Sequence, residues 1–166
     1  LHMLGYASQW ETDLRLWRYA VHLGPYTPRS RLFLGVAEKD QAWRHRAAGE
    51  DSLMRFHLER AADAFHKCLV LTHPADAIHW KATNNLGGLY WETGQYAQAA
   101  PLFEAAWRAD PYSPDYAVNM GNLAYWRQDW TQAGWYYRRA LELSPHHPAA
   151  RRNRVQLQNL LDQPAP

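Results

Sequence analysis

Residues 86–111 read LGGLYWETGQYAQAAPLFEAAWRADP, and residues 120–145 read MGNLAYWRQDWTQAGWYYRRALELSP. Laid over one another at a constant offset, they match at Leu86-Gly87 with Met120-Gly121, Tyr96 with Trp130, Ala99 with Ala133, Phe103 with Tyr137, Ala106 with Ala140 and Pro111 with Pro145. A fixed period in this range marks a small helical motif that cannot bury its apolar side alone and stacks on its neighbours. The expected seat of function is the surface that the stack presents.

Working outward, helix-period apolar spacing dominates the chain, and Pro and Gly fall between the periodic stretches, so the class is all-α. The pattern predicts helices over about Ile78 to Trp91 and Tyr96 to Ala109, joined by Thr93-Gly94 and stopped by Asp110-Pro111. A second pair runs from Pro114 to Arg127 and from Trp130 to Leu143, and a last helix from Pro148 to Leu161. Gly94 suits the left-handed residue after a helix, and Pro111 cannot continue one. Gly87 and Gly121 let two helix backbones approach, the four alanines do the same from the opposite helix, and Phe103 and Tyr137 fill the space beside them. Leu89, Leu123 and Leu157 carry the same register into the final helix.

These residues resemble tetratricopeptide repeats. The resemblance implies an α-solenoid of helix-turn-helix units wound into a right-handed superhelix with a concave groove, closed by a C-terminal capping helix. Read backwards, Trp10, Trp17, Ala20 and Pro25 match the second half of a unit, and Leu34-Gly35 opens another. That unit is irregular: Ala61, Phe65 and Cys68 stand in the expected relation only if a surplus of about 14 residues is admitted, which predicts long helices over Arg29 to Ala47 and Asp51 to Leu71, joined near Gly49. A longer connection is expected over residues 72–77. The expected organisation is one domain over residues 4–162: a half repeat (4–27), an irregular long repeat (28–77), two regular repeats (78–113 and 114–147) and a capping helix (148–162). Two departures stand out: Ala124 occupies the place of Tyr90, and Gln128 replaces the turn glycine, so the second regular unit is expected to close differently. His2-Met3 reads as a cloning remnant, and a half repeat lacking its first helix reads as a piece cut from a longer protein or covered imperfectly by residues 3–8. The stretch from Trp10 to Gly35 is also similar to the start of the soluble repeat tail of some membrane-spanning, lipid-sugar-dependent glycosyltransferases; that likeness implies an accessory tail that positions an acceptor protein.

Composition bounds the remaining options. With 166 residues, 47% of them apolar, the chain can bury a core, and nine Trp and ten Tyr supply rings for the spaces between stacked helices. A net charge of +2 from 18 basic and 16 acidic residues gives no strong field for nucleic acid or an anionic membrane. Arg151, Arg152 and Arg154 form a local basic run, read as a solvated helix face in preference to a phosphate site. No apolar run of membrane-spanning length occurs, so direct membrane insertion of this segment is not expected. Cys68 stands alone and is expected to be a buried, inert thiol. No ligand spacing among the nine histidines argues for a metal; His66 and His73 are spaced for one face if the helix runs on, and His146-His147 are adjacent. There is no nucleophile elbow and no phosphate-loop or dinucleotide fingerprint, so no cofactor is expected and the segment is read as non-catalytic. Compartment is left open.

Helix spacing of 4, 3 and 4 puts Lys81, Asn85, Gly88 and Glu92 on one face, with Asn84 beside them. The same face of the next unit holds Asp115, Asn119, Asn122 and Trp126, and that of the last helix holds Asn153 and Gln156. In tetratricopeptide stacks this face lines the groove, so these are the candidate partner-binding residues. Asn85, Asn119 and Asn153 recur at the repeat offset, and an amide can both donate to and accept from a peptide backbone. The resemblance extends to the asparagine ladder of protein O-linked sugar transferases; the alternative is that these amides bridge neighbouring repeats. A carboxylate clamp of the chaperone-binding kind is less favoured, because Asp115 and Val118 stand where further cationic or amide groups are wanted. Trp91, Tyr125 and Trp126 suggest either an aromatic platform or packing between repeats. The function expected is a protein-interaction scaffold that takes a peptide or partner segment, with an acceptor-positioning tail or a homo-oligomerisation module as the alternatives.

Overall fold

The computed structural model describes residues 14–162. Trp10 and residues 4–8 of the expected half repeat lie outside the described residues. Helix α1 covers residues 14–23. It is followed by α2 (Pro28–Ala47), α3 (Asp51–Val70), α4 (Ala77–Glu92), α5 (Tyr96–Ala109), α6 (Pro114–Trp126), α7 (Trp130–Leu143) and α8 (Pro148–Leu161). No strand occurs among the described residues. The fold is all-α, built of helical hairpins, and every helix expected from α2 onward forms within a residue of its expected ends.

The ends have local causes. Pro28, Pro114 and Pro148 sit in the first turns of α2, α6 and α8, where a missing N–H leaves no intrahelical bond unmade. Asp129 Oδ1 accepts from Gln132 N at 2.9 Å at the start of α7, a side-chain cap for an orphan amide. Gly49 and Gly94 take the left-handed conformation at φ +76° and +79°. Gln128 takes it too, at φ +62°. The turn after α6 therefore closes like the turn after α4, contrary to the expectation of a different closure. Gln128 N bonds Tyr125 O at 3.0 Å and Asp129 N bonds Ala124 O at 2.9 Å, matching Gly94 N to Trp91 O at 3.1 Å and Gln95 N to Tyr90 O at 2.8 Å. These paired bonds satisfy the terminal carbonyls of both helices, and Gln128 adopts a conformation that an L side chain disfavours in order to make them.

The chain divides into two compact units, the first running to Gln95 and the second starting at Tyr96. In the first, α2 packs on α3 and α4, and α3 packs on α4. Leu14, Leu34, Ala37 and Ala64 form one core cluster there, with Trp17 and Val21 against them. In the second unit α5 packs on α6, α6 on α7 and α8, and α7 on α8. Ala124, Ala133, Tyr137 and Leu157 form one core cluster there, and Ala117, Val118, Ala140 and Ala150 another.

The irregular repeat keeps the regular contact. A Cβ on Gly121 would stand 2.4 Å from Tyr137 Cε1, and a Cβ on Gly35 would stand 2.5 Å from Phe65 Cε1. In both hairpins a glycine admits the ring of the facing helix. Gly35 and Phe65 lie further apart in sequence than Gly121 and Tyr137 by the expected surplus. The surplus lengthens both helices, 20 residues each in α2 and α3 against 13 and 14 in α6 and α7. At a rise of about 1.5 Å per residue each long helix reaches about 10 Å further than its regular counterpart. Between α3 and α4, Trp80 Nε1 donates to Pro74 O at 2.7 Å and Asp76 Oδ2 accepts from His73 N at 3.2 Å, which orders the longer connection.

Candidate functional site

The first helices of successive hairpins lie side by side, α2 with α4 in the first unit and α6 with α8 in the second. In each unit they form one layer, and the candidate binding residues belong to these helices. On α4, Lys81 is exposed and Asn84, Asn85 and Gly88 are half-buried. Asn85 Nδ2 donates to Lys81 O at 2.8 Å, one turn back on its own helix. A Cβ on Gly88 would meet no atom within 4 Å, so the helix surface is open there. Glu92 accepts from Lys39 Nζ at 3.4 Å and ties α4 to α2. Next to it, burial raises the Asp40 pKa, with the charges of Lys39 and Arg44 opposing and that of Glu92 adding to the rise.

The second unit brings its amides together differently from the expected ladder. Asn122 Oδ1 accepts from Tyr137 OH at 3.0 Å and from Asn153 Nδ2 at 2.7 Å. One carbonyl thus joins α6, α7 and α8. Asn153 meets Asn122 here, so for this pair the geometry is that of the inter-repeat bridge. Burial first, with the Tyr125 charge adding, pushes the Tyr137 hydroxyl up to about 12, so it stays a donor through the physiological range. Asp115 Oδ1 lies 2.9 Å from His147 Nε2, while His147 Nδ1 accepts from Ala150 N at 3.3 Å. The accepting Nδ1 requires the proton on Nε2, so His147 donates to Asp115 and caps α8 at the same time. Asn119 is half-buried, Gln156 is exposed, and Trp126 is 46% exposed with its ring 5.4 Å from that of Tyr96. Val118 is buried in the core.

The other singled-out residues have structural partners. Tyr125 stands edge-on to Trp130 at 5.1 Å, and Trp107 edge-on to Tyr136 at 5.6 Å. Cys68 is buried with its Sγ 3.3 Å from Pro28 O, and burial pushes its thiol up, away from the reactive thiolate. Arg151 donates to Pro145 O at 3.1 Å, a contact of the α7–α8 turn. His66 lies near Tyr90 OH at 3.4 Å and His73 Nδ1 accepts from Ala75 N at 3.1 Å, so the two serve separate contacts. Among the described residues, no three of His, Cys, Asp and Glu are grouped to hold a metal ion. No described helix is long and apolar enough to cross a membrane.

One buried cluster had no counterpart in the sequence reading. Glu38 of α2 is 0% exposed. Its carboxylate accepts from His57 Nδ1 at 2.6 Å, Arg60 Nε at 2.7 Å, Arg18 Nη2 at 3.1 Å and Arg18 Nε at 3.2 Å. Burial alone would raise the Glu38 pKa; hydrogen bonds from Arg60 and His57 and the charges of Arg18 and Arg60 outweigh it, and the net pKa is lowered. His57 stacks on His45 at 5.0 Å, and His45 Nδ1 pairs with Glu50. The signal was present in the register: Glu38 follows Leu34 as Tyr90 follows Leu86 and Ala124 follows Met120. A carboxylate in a packing position demands cationic partners.

The fold is that of tetratricopeptide repeat proteins. A thermophilic tetratricopeptide protein of Thermus thermophilus superposes with a TM-score of 0.74 at 16% identity, covering 93% of this chain and 75% of that one. MamA superposes at 0.62 with 13% identity, over 94% of this chain and 81% of its own. The first tetratricopeptide domain of Spaghetti (RPAP3), bound to the HSP90 peptide SRMEEVD, superposes at 0.54 with 17% identity, over 78% of this chain and 94% of its own. Neither a family model nor a curated protein matches the sequence. At these identities the likeness is one of fold.

Proposed function

We propose that this chain is a non-catalytic protein-interaction scaffold whose binding residues lie on the first-helix layers of its two units: Lys81, Asn84 and Gly88 on α4, Asn119 and Trp126 on α6, and Gln156 on α8. The observation that carries the reading is Trp126, a large ring on α6 that stays 46% exposed although it lies against Tyr96. A neighbour of the same fold holds a peptide, which supports the class of partner. Asn122 and Asn153 are spent on a bridging bond, so their part is to hold the helices in register, while Asn85 bonds its own helix at Lys81 O; Asp115 and Glu92 tie neighbouring elements through His147 and Lys39. Affinity for one short segment is set low, about micromolar, because ordering side chains and desolvating amides oppose binding.

The test is differential capture from native lysate. Lys81→Glu and Trp126→Ala should each remove a partner that the unaltered chain and the α7 variant Trp135→Ser both retain. Equal retention by all of them rejects the first-helix layers as binding surfaces.

A further inference from the structure

A second surface lies on the long hairpin of the first unit. Glu38 is wholly buried, yet the two guanidiniums that converge on its Oε1 belong to side chains that are each 42% exposed. Arg18 commits its Nε and one terminal nitrogen to Glu38, and Arg60 commits Nε alone. Two guanidiniums against one carboxylate leave an excess of positive charge, held in place by a partner that cannot move to solvent. Arginine nitrogens fixed in this way lose little freedom on meeting a further carboxylate.

The same surface is apolar on one side. The Arg60 guanidinium lies 5.5 Å from the centre of the Phe56 ring, and that ring is 48% exposed. Leu53, one turn before Phe56 on α3, is 46% exposed. Residues three and four apart share a helix face, so Leu53, Phe56 and Arg60 form a stripe along α3 that ends at the paired guanidiniums. Leu53 and Phe56 belong to the part of the hairpin that the sequence surplus builds, so regular repeats have no counterpart for this stripe.

We infer that this stripe is a docking site for an acidic protein segment, which sets a carboxylate on Arg18 and Arg60 and an aliphatic or aromatic side chain on Phe56 and Leu53. The occupant follows from charge complementarity: Glu38 is covered, Glu50 is paired with His45, and Asp63, one turn beyond Arg60, is paired with Lys67 at 2.7 Å, so Arg18 and Arg60 carry the unmatched charge of the stripe. This site is independent of the first-helix layers.

Fluorescence anisotropy of a labelled decapeptide alternating Asp with Leu and Phe, titrated with the full chain, tests it. Binding should weaken about fivefold or more in Phe56→Ser and in Arg60→Gln, as expected of an aromatic and an arginine anchor. It should also weaken about tenfold when salt is raised across the range in which surface charges are screened. Trp126→Ala should leave it unchanged, which separates this site from the first-helix layers. Phe56 is exposed and lies outside the packed core, so Phe56→Ser tests the site even if Arg60→Gln loosens the fold. The inference is overturned if the Asp peptide fails to bind, if a counterpart with Lys in place of Asp binds equally, if Phe56→Ser has no effect, or if inorganic phosphate displaces the peptide from the unaltered chain and from Phe56→Ser alike.

Discussion

Replacing Glu38 by Gln removes one charge and almost no volume, and it should weaken the first unit more than any surface change. The carboxylate has no exposure and takes four close bonds from three donors. The amide offers one accepting oxygen, and its NH2 then faces at least one of the N–H groups that Glu38 had accepted from. Removing one partner of a buried ion pair typically costs about 3–5 kcal/mol; Arg18 and Arg60 keep 42% exposure and are rehydrated, so about 2–3 kcal/mol is expected here. The sign with pH is fixed by the lowered pKa of Glu38. Its contribution is complete above the unfolded value near 4.5 and is lost as pH falls through the lower folded value. Hydrogen exchange of α2 amides in the full chain reads this unit by itself. Near neutral pH the Gln variant should open more easily by the amount above, and the gap should narrow once acid protonates Glu38. A gap under about 1 kcal/mol, well below the usual range for a broken buried pair, or one that persists unchanged in acid, would mean that the ionised Glu38 does not hold this cluster together.

Three further outcomes follow from backbone and packing. Gln128→Gly should raise the stability of the second unit by a few tenths of a kcal/mol, because relief of the left-handed strain exceeds glycine's extra unfolded entropy, whereas Gly94→Ala should lower the first unit's by about 1 kcal/mol; thermal unfolding measures both. Gly121→Ala puts a methyl 2.4 Å from the Tyr137 ring and should cost about 1–3 kcal/mol, while Gly88→Ala meets open space and should gain about 0.5–1 kcal/mol from helix propensity. Urea midpoints of opposite sign are the check. Asn122→Ala strands the hydroxyl of Tyr137 and the amide of Asn153, and urea unfolding should show a loss of about 1–2 kcal/mol.

Much of the fold was legible because a helical repeat writes its packing into spacing. Gly35 and Phe65, on different helices and far apart in sequence, declared their contact only by comparison with Gly121 and Tyr137, and the same comparison measured the surplus in α2 and α3. The turn at Gln128 was misjudged because residue type suggested a different backbone, and the hydrogen bonds required to close the helix prevailed over residue preference. The site was less legible. Periodicity assigns Asn85, Asn119 and Asn153 to one face, but Asn153 reaches diagonally to Asn122, a pairing that depends on side-chain direction between two helices. The dual bond of His147 depends on a loop geometry that spacing does not encode. Glu38 was visible as a charge in a packing position, but Arg18 comes from another helix, and His57 and Arg60 lie where the surplus breaks the register.

Whether partners meet the first-helix layers can be read by site-specific photo-crosslinking. A benzophenone side chain placed in turn at Gly88 and Gln156, and at Thr131 and Gln132 on α7 as controls, reports which face is within reach of a bound protein. Partner crosslinks are expected from residues 88 and 156 and none from 131 and 132. Crosslinks confined to the α7 positions would contradict this expectation.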